Sequence, residues 1–206
     1  MSAALAAFLR ENGIRDERVL AAFAEVPRRL FVPEPLRESA DGDHPLPIGH
    51  GQTISQPFVV AYMTERLRLA GNERVLEVGT GSGYQAAILA RLAEEVFSIE
   101  ILPELAARAR EVLGELQLAN VRLRTGDGSL GWPEEAPFDR IVVTAAAPDV
   151  PPALVQQLAP GGRMILPVGA SAEMQMLRVV DRGNDGVTAA TDLLPVRFVP
   201  LVHSSR

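Results

Sequence analysis

The chain has 206 residues, 47% of them hydrophobic, which suits one globular domain with a single sizeable core. The absence of cysteine excludes disulfides, a thiolate nucleophile and cysteine-built zinc sites, and the net charge of −6 disfavours a nucleic-acid partner. No apolar stretch approaches the ~20 residues of a membrane span and the first residues lack an export pattern, so we expect a soluble cytoplasmic protein.

Two short helices are predicted between residues 3 and 32, separated at Asn12-Gly13, with the second covering residues 16–27. A long segment rich in proline and glycine follows. It ends at Ser55-Gln56-Pro57, where another helix begins and runs to about Gly71. Because long irregular segments in compact domains are usually functional, we expect this one to form part of a site.

Short apolar strands alternate with helices in the middle of the chain. The predicted strands cover residues 75–78, 96–99, 121–125, 141–144 and 164–168. The predicted helices among them cover residues 86–90 and 103–117. This alternation indicates right-handed βαβ units, and hence an α/β fold with a doubly wound, mostly parallel sheet.

The C-terminal part has a different pattern. Residues 174–180 and 187–193 flank a glycine-rich turn and predict an antiparallel hairpin, and a further strand is expected over residues 196–202. We expect the whole chain to form one domain. Its predicted parts are N-terminal helices and a loop in 1–57, a ligand-binding core in 58–170 and C-terminal strands in 171–206.

The most informative stretch is a strand that runs into Gly79, Gly81 and Gly83 and then into a helix. Without Cβ atoms these glycines let a ligand approach the backbone, and the helix start offers free N–H groups. A dinucleotide-binding turn would carry its third glycine one residue later. Glu77 would oppose a pyrophosphate but could hold an ammonium group. The pattern, with Thr80 inside the turn, resembles motif I of the S-adenosylmethionine-dependent methyltransferases.

Polar residues also follow the next three strands. Glu100 follows the second strand, Asp127-Gly128 the third and Thr144 the fourth. In doubly wound sheets ligands bind beyond the carboxyl ends of the strands. Glu100 has the offset from the glycine turn at which an acid accepts from ribose hydroxyls, and Asp127 could accept from an adenine amino group. Either acid could instead be solvated or cap a helix, but the ordered set predicts an S-adenosylmethionine site.

The methyl acceptor is indicated by residues 46–57, Leu-Pro-Ile-Gly-His-Gly-Gln-Thr-Ile-Ser-Gln-Pro. This stretch resembles the signature of the protein-L-isoaspartate O-methyltransferase family. Further matching stretches are 26–28, 31–33, 126–132 and 195–201. The Asn/Asp-Pro-Pro-Tyr motif of N-methyltransferases is missing after the fourth strand, and no acidic cluster suggests a metal site.

The resemblance implies methyl esterification of the free carboxylate of L-isoaspartyl residues in damaged proteins and peptides, which starts their repair through a succinimide. It implies an active-site serine at Ser55, with Thr53 and Ile54 beside it and a backbone contact to the acceptor near Val199. The cofactor positions that it implies are Gly79, Gly81, Glu100, Asp127 and Gly128. It also implies an N-terminal helical cap on the sheet, and we expect a monomer without nucleic-acid or membrane partners.

Alternative interpretations stay open at this point. Ser55 could serve as the N-cap of the following helix rather than orient an acceptor. A small-molecule carboxyl methyltransferase would share the glycine turn and the acids, but need not keep residues 52–57. A non-catalytic module that binds S-adenosylmethionine and serves as a partner platform is disfavoured by the intact acids and serine. No role is assigned to His44, and we expect His50 to make loop hydrogen bonds.

Overall fold

The computed structural model describes residues 2–170 and 174–203. The α-helices are α1 (Ser2–Glu11), α2 (Glu17–Glu25), α3 (Pro57–Leu67), α4 (Tyr84–Ala90), α5 (Pro103–Glu115) and α6 (Pro152–Gln157). The strands are β1 (Leu46–Gly49), β2 (Gln52–Ile54), β3 (Arg74–Val78), β4 (Glu95–Glu100), β5 (Val121–Thr125), β6 (Phe138–Val143), β7 (Leu158–Val168), β8 (Gln175–Arg182) and β9 (Thr188–Val196). Three short 3-10 helices cover Arg28–Phe31, Glu34–Ser39 and Gly128–Leu130. No helix of the described residues is long and apolar enough to cross a bilayer.

The main sheet has seven strands in the order β5-β4-β3-β6-β7-β8-β9. Strands β3 to β7 pair in parallel, whereas β8 and β9 are antiparallel additions at one edge. The predicted doubly wound, mostly parallel sheet with an antiparallel C-terminal hairpin is therefore confirmed. The chain moves outward from β3 to β5 and then returns to β6 on the other side of β3. A ligand crevice is expected at this reversal of strand order.

The central strands of the sheet are buried on both faces, and their successive side chains point to opposite sides. Val75 of β3 belongs to the core under α1 to α5, whereas Leu76 and Val78 belong to a second core on the opposite face. The N-terminal helices cover the first face, as the predicted helical cap requires. Helix α2 begins after Asp16, whose side chain accepts from the backbone N–H of Arg18 and caps the helix.

The proline- and glycine-rich loop contains structure that the sequence did not predict. Strands β1 and β2 form an antiparallel hairpin in which Gly49 pairs with Gln52. The two turn residues, His50 and Gly51, both have positive φ, 53° and 70°. Positive φ at both central residues is the geometry of a tight two-residue hairpin turn. Although each strand is only three or four residues long, the hairpin gives residues 52–55 a fixed direction.

The strand predicted at 196–202 is wrong. Strand β9 ends at Val196, and the chain then crosses the carboxyl end of β6, where Ala146 donates to the Val199 carbonyl and accepts from the Leu201 N–H. Pro200 has no N–H to donate, so this segment cannot continue a regular ladder. The buried Gln175 side chain holds it further by accepting from the Phe198 N–H at 2.8 Å. Residues 198–202 thereby become part of the cavity wall described below.

Candidate active site

A cavity of about 860 Å³, counting its open mouth, lies at the carboxyl ends of β3, β4 and β6. The glycine turn, the end of β4 and the start of the Gly128–Leu130 helix form one side. The hairpin end and the C-terminal crossing segment form the other side. The lining residues discussed below are Gln52, Thr53, Ile54, Ser55, Gly79, Thr80, Gly81, Glu100, Gly128, Thr144, Phe198 and Val199.

The first glycine of the turn is required by close packing as well as by backbone geometry. Gly79 has a φ of 97°, and a Cβ on it would lie 2.5 Å from Thr144 Oγ1. That hydroxyl donates to the Gly79 carbonyl, while the Gly79 N–H donates to Ile99 in β4 at 2.9 Å. The turn is therefore clamped between β4 and β6, and Thr144 lines the cavity as the sequence predicted.

The third glycine, Gly83, lies at a close contact between two helices. Gly83 does not line the cavity, and a Cβ on it would lie 3.2 Å from Ala109 Cβ on α5. Its φ of 87° lets the chain enter α4 directly after the turn. This glycine allows α4 and α5 to pack closely, and its predicted contact with a cofactor stays a prediction.

Glu100 lies on the cavity wall, and only 5% of its surface is exposed. Its Oε2 accepts from the Gly81 N–H at 2.7 Å and its Oε1 accepts from the Leu102 N–H at 3.0 Å. The carboxylate therefore ties the glycine turn to the end of β4. A carboxylate has about four lone-pair sites, so two remain for ligand hydroxyl groups. This arrangement suits the predicted role of Glu100 toward a ribose.

Glu77 occupies a position that the sequence did not predict. The side chain is fully buried beneath the turn and does not line the cavity, so a direct contact with a cofactor ammonium group is not supported. Ser98 donates to Glu77 Oε2, and the Thr80 hydroxyl lies 2.5 Å from that of Ser98. Glu77 Oε1 has no hydrogen-bond partner in the described part of the chain.

The pKa of Glu77 responds to this burial. Desolvation raises the pKa to about 8, the Ser98 hydrogen bond opposes the rise, and the nearby charge of Glu100 adds to it. A strand that is buried on both faces gives an acid at this position no access to solvent. Burial therefore favours the protonated form of Glu77 at neutral pH.

Asp127 caps a helix, which was the alternative role considered for an acid in this position. Its carboxylate accepts from the Ser129 N–H at 2.9 Å and from the Ser129 hydroxyl at 2.6 Å. Asp127 itself does not line the cavity, whereas Gly128 does. A Cβ on Gly128 would lie 2.5 Å from Val78 Cγ1, so the backbone here needs a glycine. The predicted contact of Asp127 with adenine stays a prediction.

The four predicted acceptor residues meet at the other side of the cavity. Thr53, Ile54 and Ser55 lie at the end of the hairpin and face the segment that contains Val199. The Ser55 hydroxyl makes no hydrogen bond to any residue within 2–170 or 174–203. It is therefore available to a ligand.

The N-cap alternative for Ser55 is wrong. Helix α3 begins at Pro57, and Gln56 occupies the cap position without a side-chain cap bond. Asp43 satisfies this helix start instead, since its carboxylate accepts from the Phe58 N–H at 2.8 Å and from Gln56 Nε2 at 2.7 Å. No local pattern predicts this contact, because Asp43 lies well before the helix in the sequence.

Several other lining residues were not predicted. Ser82, Gln85 and Tyr84 come from the turn and α4, and Ile101 follows Glu100. The sequence could have indicated these residues only through their positions next to predicted site residues. Neither of the two histidines of the loop, His44 and His50, lines the cavity.

The family model for protein-L-isoaspartate(D-aspartate) O-methyltransferase matches residues 1–206. The chain belongs to this family. Protein-L-isoaspartate O-methyltransferase 1 of Anaeromyxobacter sp. (strain Fw109-5) is 71% identical over 206 residues, covering 100% of this chain and 97% of the relative. The Myxococcus xanthus protein-L-isoaspartate O-methyltransferase is 60% identical, covering 94% of this chain and 92% of that protein. The family resemblance inferred from residues 46–57 is thereby confirmed.

Solved structures of the family have the same fold. A protein-L-isoaspartate O-methyltransferase structure superposes with a TM-score of 0.88 at 31% identity, covering 97% of this chain and 65% of that longer chain. A Plasmodium falciparum structure, described as a member of this family in complex with S-adenosyl-L-homocysteine, has a TM-score of 0.85 at 27% identity, with 98% of both chains covered. The predicted methyltransferase fold is therefore confirmed over nearly the whole chain.

Proposed function

We propose that this enzyme transfers a methyl group from S-adenosyl-L-methionine to the free carboxylate of L-isoaspartyl residues in damaged proteins and peptides. The observation that carries the proposal is the unpaired Ser55 hydroxyl, which shares one cavity with the glycine turn and Glu100. The methyl ester can expel methoxide, which is a far better leaving group than the oxide that an ionised carboxylate would have to expel. The following backbone nitrogen can therefore displace methanol and close a succinimide, which reopens in part to normal aspartate.

The cofactor side of the cavity fits S-adenosylmethionine. Glu100 offers acceptor positions for ribose hydroxyls, and Gly79, Gly81 and Gly128 line the same side of the cavity. The start of α4 adds the positive end of a helix dipole, which suits the carboxylate of the methionine portion. When bound, the sulfonium supplies an electrophilic methyl group, and S-adenosyl-L-homocysteine is the product.

The acceptor side of the cavity binds its anion with neutral groups. Gln52, Thr53, Ser55 and Phe198 carry no charge. An isoaspartyl carboxylate has an ordinary pKa near 4, so it is ionised at neutral pH and needs no general base. A hydrogen bond from Ser55 Oγ orients one carboxylate oxygen and leaves the other free to attack. Catalysis then rests on alignment and on the exclusion of water.

The role of Ser55 predicts that Ser55→Ala lowers kcat/KM for an isoaspartyl peptide by roughly ten- to a hundredfold, because one hydrogen bond to a charged group is lost. The melting temperature and the affinity for S-adenosyl-L-homocysteine should stay at parent values, since the hydroxyl has no partner inside the protein. Ser55→Thr keeps the hydroxyl but adds a methyl group beside the acceptor, and should also be slow.

Steady-state methylation and thermal unfolding measure these effects. Ser39→Ala is the matched control, because it removes an exposed serine hydroxyl from the same N-terminal region and should change neither quantity. A Ser55→Ala enzyme with the parent kcat/KM would remove Ser55 from the mechanism.

We further propose that the 206 residues act as one domain, in the cytoplasm and as a monomer. Residues 52–55, 79–82 and 198–202, far apart in the sequence, line one cavity, so a single chain supplies both sides of the proposed site. The cysteine-free composition is compatible with a reducing compartment.

A further inference from the structure

Arg28 is a buried cation outside the cavity wall, and only 1% of its surface is exposed. Its guanidinium donates to four backbone carbonyls. Nη1 contacts Ala40 at 2.7 Å and Gly42 at 3.3 Å, and Nη2 contacts His44 and Ser55, each at 3.0 Å. No carboxylate lies within ion-pair distance of Arg28 among residues 2–170 and 174–203. Carbonyl oxygens rather than an acid therefore hold the charge.

Because Arg28 is buried, its guanidinium depends on the four carbonyl contacts. Desolvation lowers the pKa of Arg28, while the charges of Asp43 and Asp41 oppose the shift. A buried charge is costly unless its hydrogen bonds are satisfied, so both ends of the guanidinium need their carbonyls in place. The planar fork of arginine fixes the directions of those bonds.

The four carbonyls belong to two segments, the 40–44 loop and the acceptor segment, and the Arg28 guanidinium joins them. Nη2 holds His44 of the 40–44 loop and Ser55 of the acceptor segment at the same time. The same loop provides Asp43, which holds Gln56 and the Phe58 N–H. The backbone on both sides of the Ser55 hydroxyl is therefore fixed by contacts that do not use the hydroxyl.

Arg28 also contacts the cofactor side of the cavity. Its guanidinium carbon lies 5.9 Å from the centre of the Tyr84 ring, and Tyr84 is a cavity-lining residue at the start of α4. Edge contacts with Phe23 and Phe31 hold this ring in turn. Arg28 therefore lies between a fixed aromatic ring and the peptide unit of Ser55.

We infer that Arg28 is a positioning residue that sets the location of the Ser55 hydroxyl for the acceptor carboxylate. The inference rests on the proposed role of Ser55. It names the contact that positions the Ser55 hydroxyl. Arg28 binds the Ser55 carbonyl and so holds the backbone, while the hydroxyl itself makes no bond inside the protein. Misplacement of a reacting group by about 1 Å can cost on the order of a hundredfold in rate.

The test is a double-mutant cycle with Arg28→Lys and Ser55→Ala. Lysine keeps the positive charge but has a single nitrogen in place of the fork, so it cannot hold both segments in the same directions. We expect Arg28→Lys to lower kcat/KM for an isoaspartyl peptide by roughly ten- to a hundredfold and to leave the dissociation constant of S-adenosyl-L-homocysteine within about twofold. In the Ser55→Ala background the same change should cost less than about threefold, because the hydroxyl that it positions is already missing.

Arg29→Lys is the matched control, since Arg29 is the exposed neighbour on the same turn, and it should leave kcat/KM unchanged. Equal losses from Arg28→Lys in both backgrounds would overturn the inference while leaving the role of Ser55 intact. Loss of S-adenosyl-L-homocysteine binding in Arg28→Lys would also overturn it, because the effect would then be general unfolding. If Ser55→Ala alone has the parent kcat/KM, the proposed role of Ser55 fails and the inference fails with it.

Discussion

Between pH 5 and pH 8 the parent enzyme should lose about 3 kcal/mol of unfolding free energy that the Glu77→Gln variant retains. Glu77 is fully buried and its pKa is raised from 4.5 to about 8 in the folded chain. Within this interval the folded chain holds a proton that the unfolded chain releases, so unfolding becomes more favourable as the pH rises. The stabilisation is fully present below about pH 4.5 and is lost as the pH approaches 8.

Urea unfolding at pH 5, 6, 7 and 8 measures this difference. Glutamine keeps an oxygen that accepts from Ser98 but has no proton to lose. The unfolding free energy of Glu77→Gln should therefore fall less steeply with pH than that of the parent. Any change in unfolding free energy that the amide causes equally at every pH cancels when the slopes of free energy against pH are compared. Glu111→Gln, which removes an exposed charge from α5, should follow the parent curve. Parallel curves for the parent and Glu77→Gln would show that Glu77 is ionised in the folded protein.

Glu100→Ala should weaken S-adenosyl-L-homocysteine binding by roughly ten- to over a hundredfold. A hydrogen bond to a charged group contributes about 1.5 to 3 kcal/mol, and this carboxylate holds both the turn and the proposed ribose position. Its two bonds, to the Gly81 and Leu102 N–H groups, fix the glycine turn before any ligand arrives. The substitution therefore removes a ligand contact and loosens the wall around it.

Isothermal titration calorimetry with S-adenosyl-L-homocysteine checks this expectation. The control is Glu104→Ala, which removes a carboxylate with the same charge from the exposed first turn of α5. It should leave the dissociation constant unchanged. An unaltered dissociation constant for Glu100→Ala would place this carboxylate outside the cofactor site.

Local patterns in the sequence predicted the core of the fold. Strands β3, β4 and β6 each contain a short apolar run, which is the signal that parallel strands buried on both faces leave. Gly79, Glu100 and Thr144 were predictable as site residues because each lies at the carboxyl end of such a strand. Their meeting at one cavity follows from the parallel arrangement, which brings carboxyl ends to the same edge.

Contacts between distant segments account for most of what the sequence did not predict. The 46–54 hairpin was missed because its strands have three or four residues and include Pro47. The crossing at 198–202 depends on Gln175 and Ala146, which no local pattern connects to it. Arg28 and Ser55 lie 27 residues apart, so only the fold shows that they touch.

Two predicted cofactor residues, Glu77 and Gly83, lie outside the cavity wall for a common reason. The pattern around the turn gives sequence spacing but not the direction in which each side chain points. Glu77 points beneath the turn toward Ser98, and Gly83 faces α5. Spacing alone does not separate a residue that touches a ligand from one that supports the turn.

The most direct test of the account is methyl transfer to two peptides that differ only in one linkage, isoaspartyl or aspartyl. With S-adenosylmethionine carrying a labelled methyl group, we predict base-labile label on the isoaspartyl peptide, later released as methanol, and almost none on the aspartyl peptide. A third peptide with an isoasparaginyl residue has no free carboxylate at that position and should stay unlabelled. Equal labelling of the isoaspartyl and aspartyl peptides, or label that resists base, would contradict the proposed acceptor.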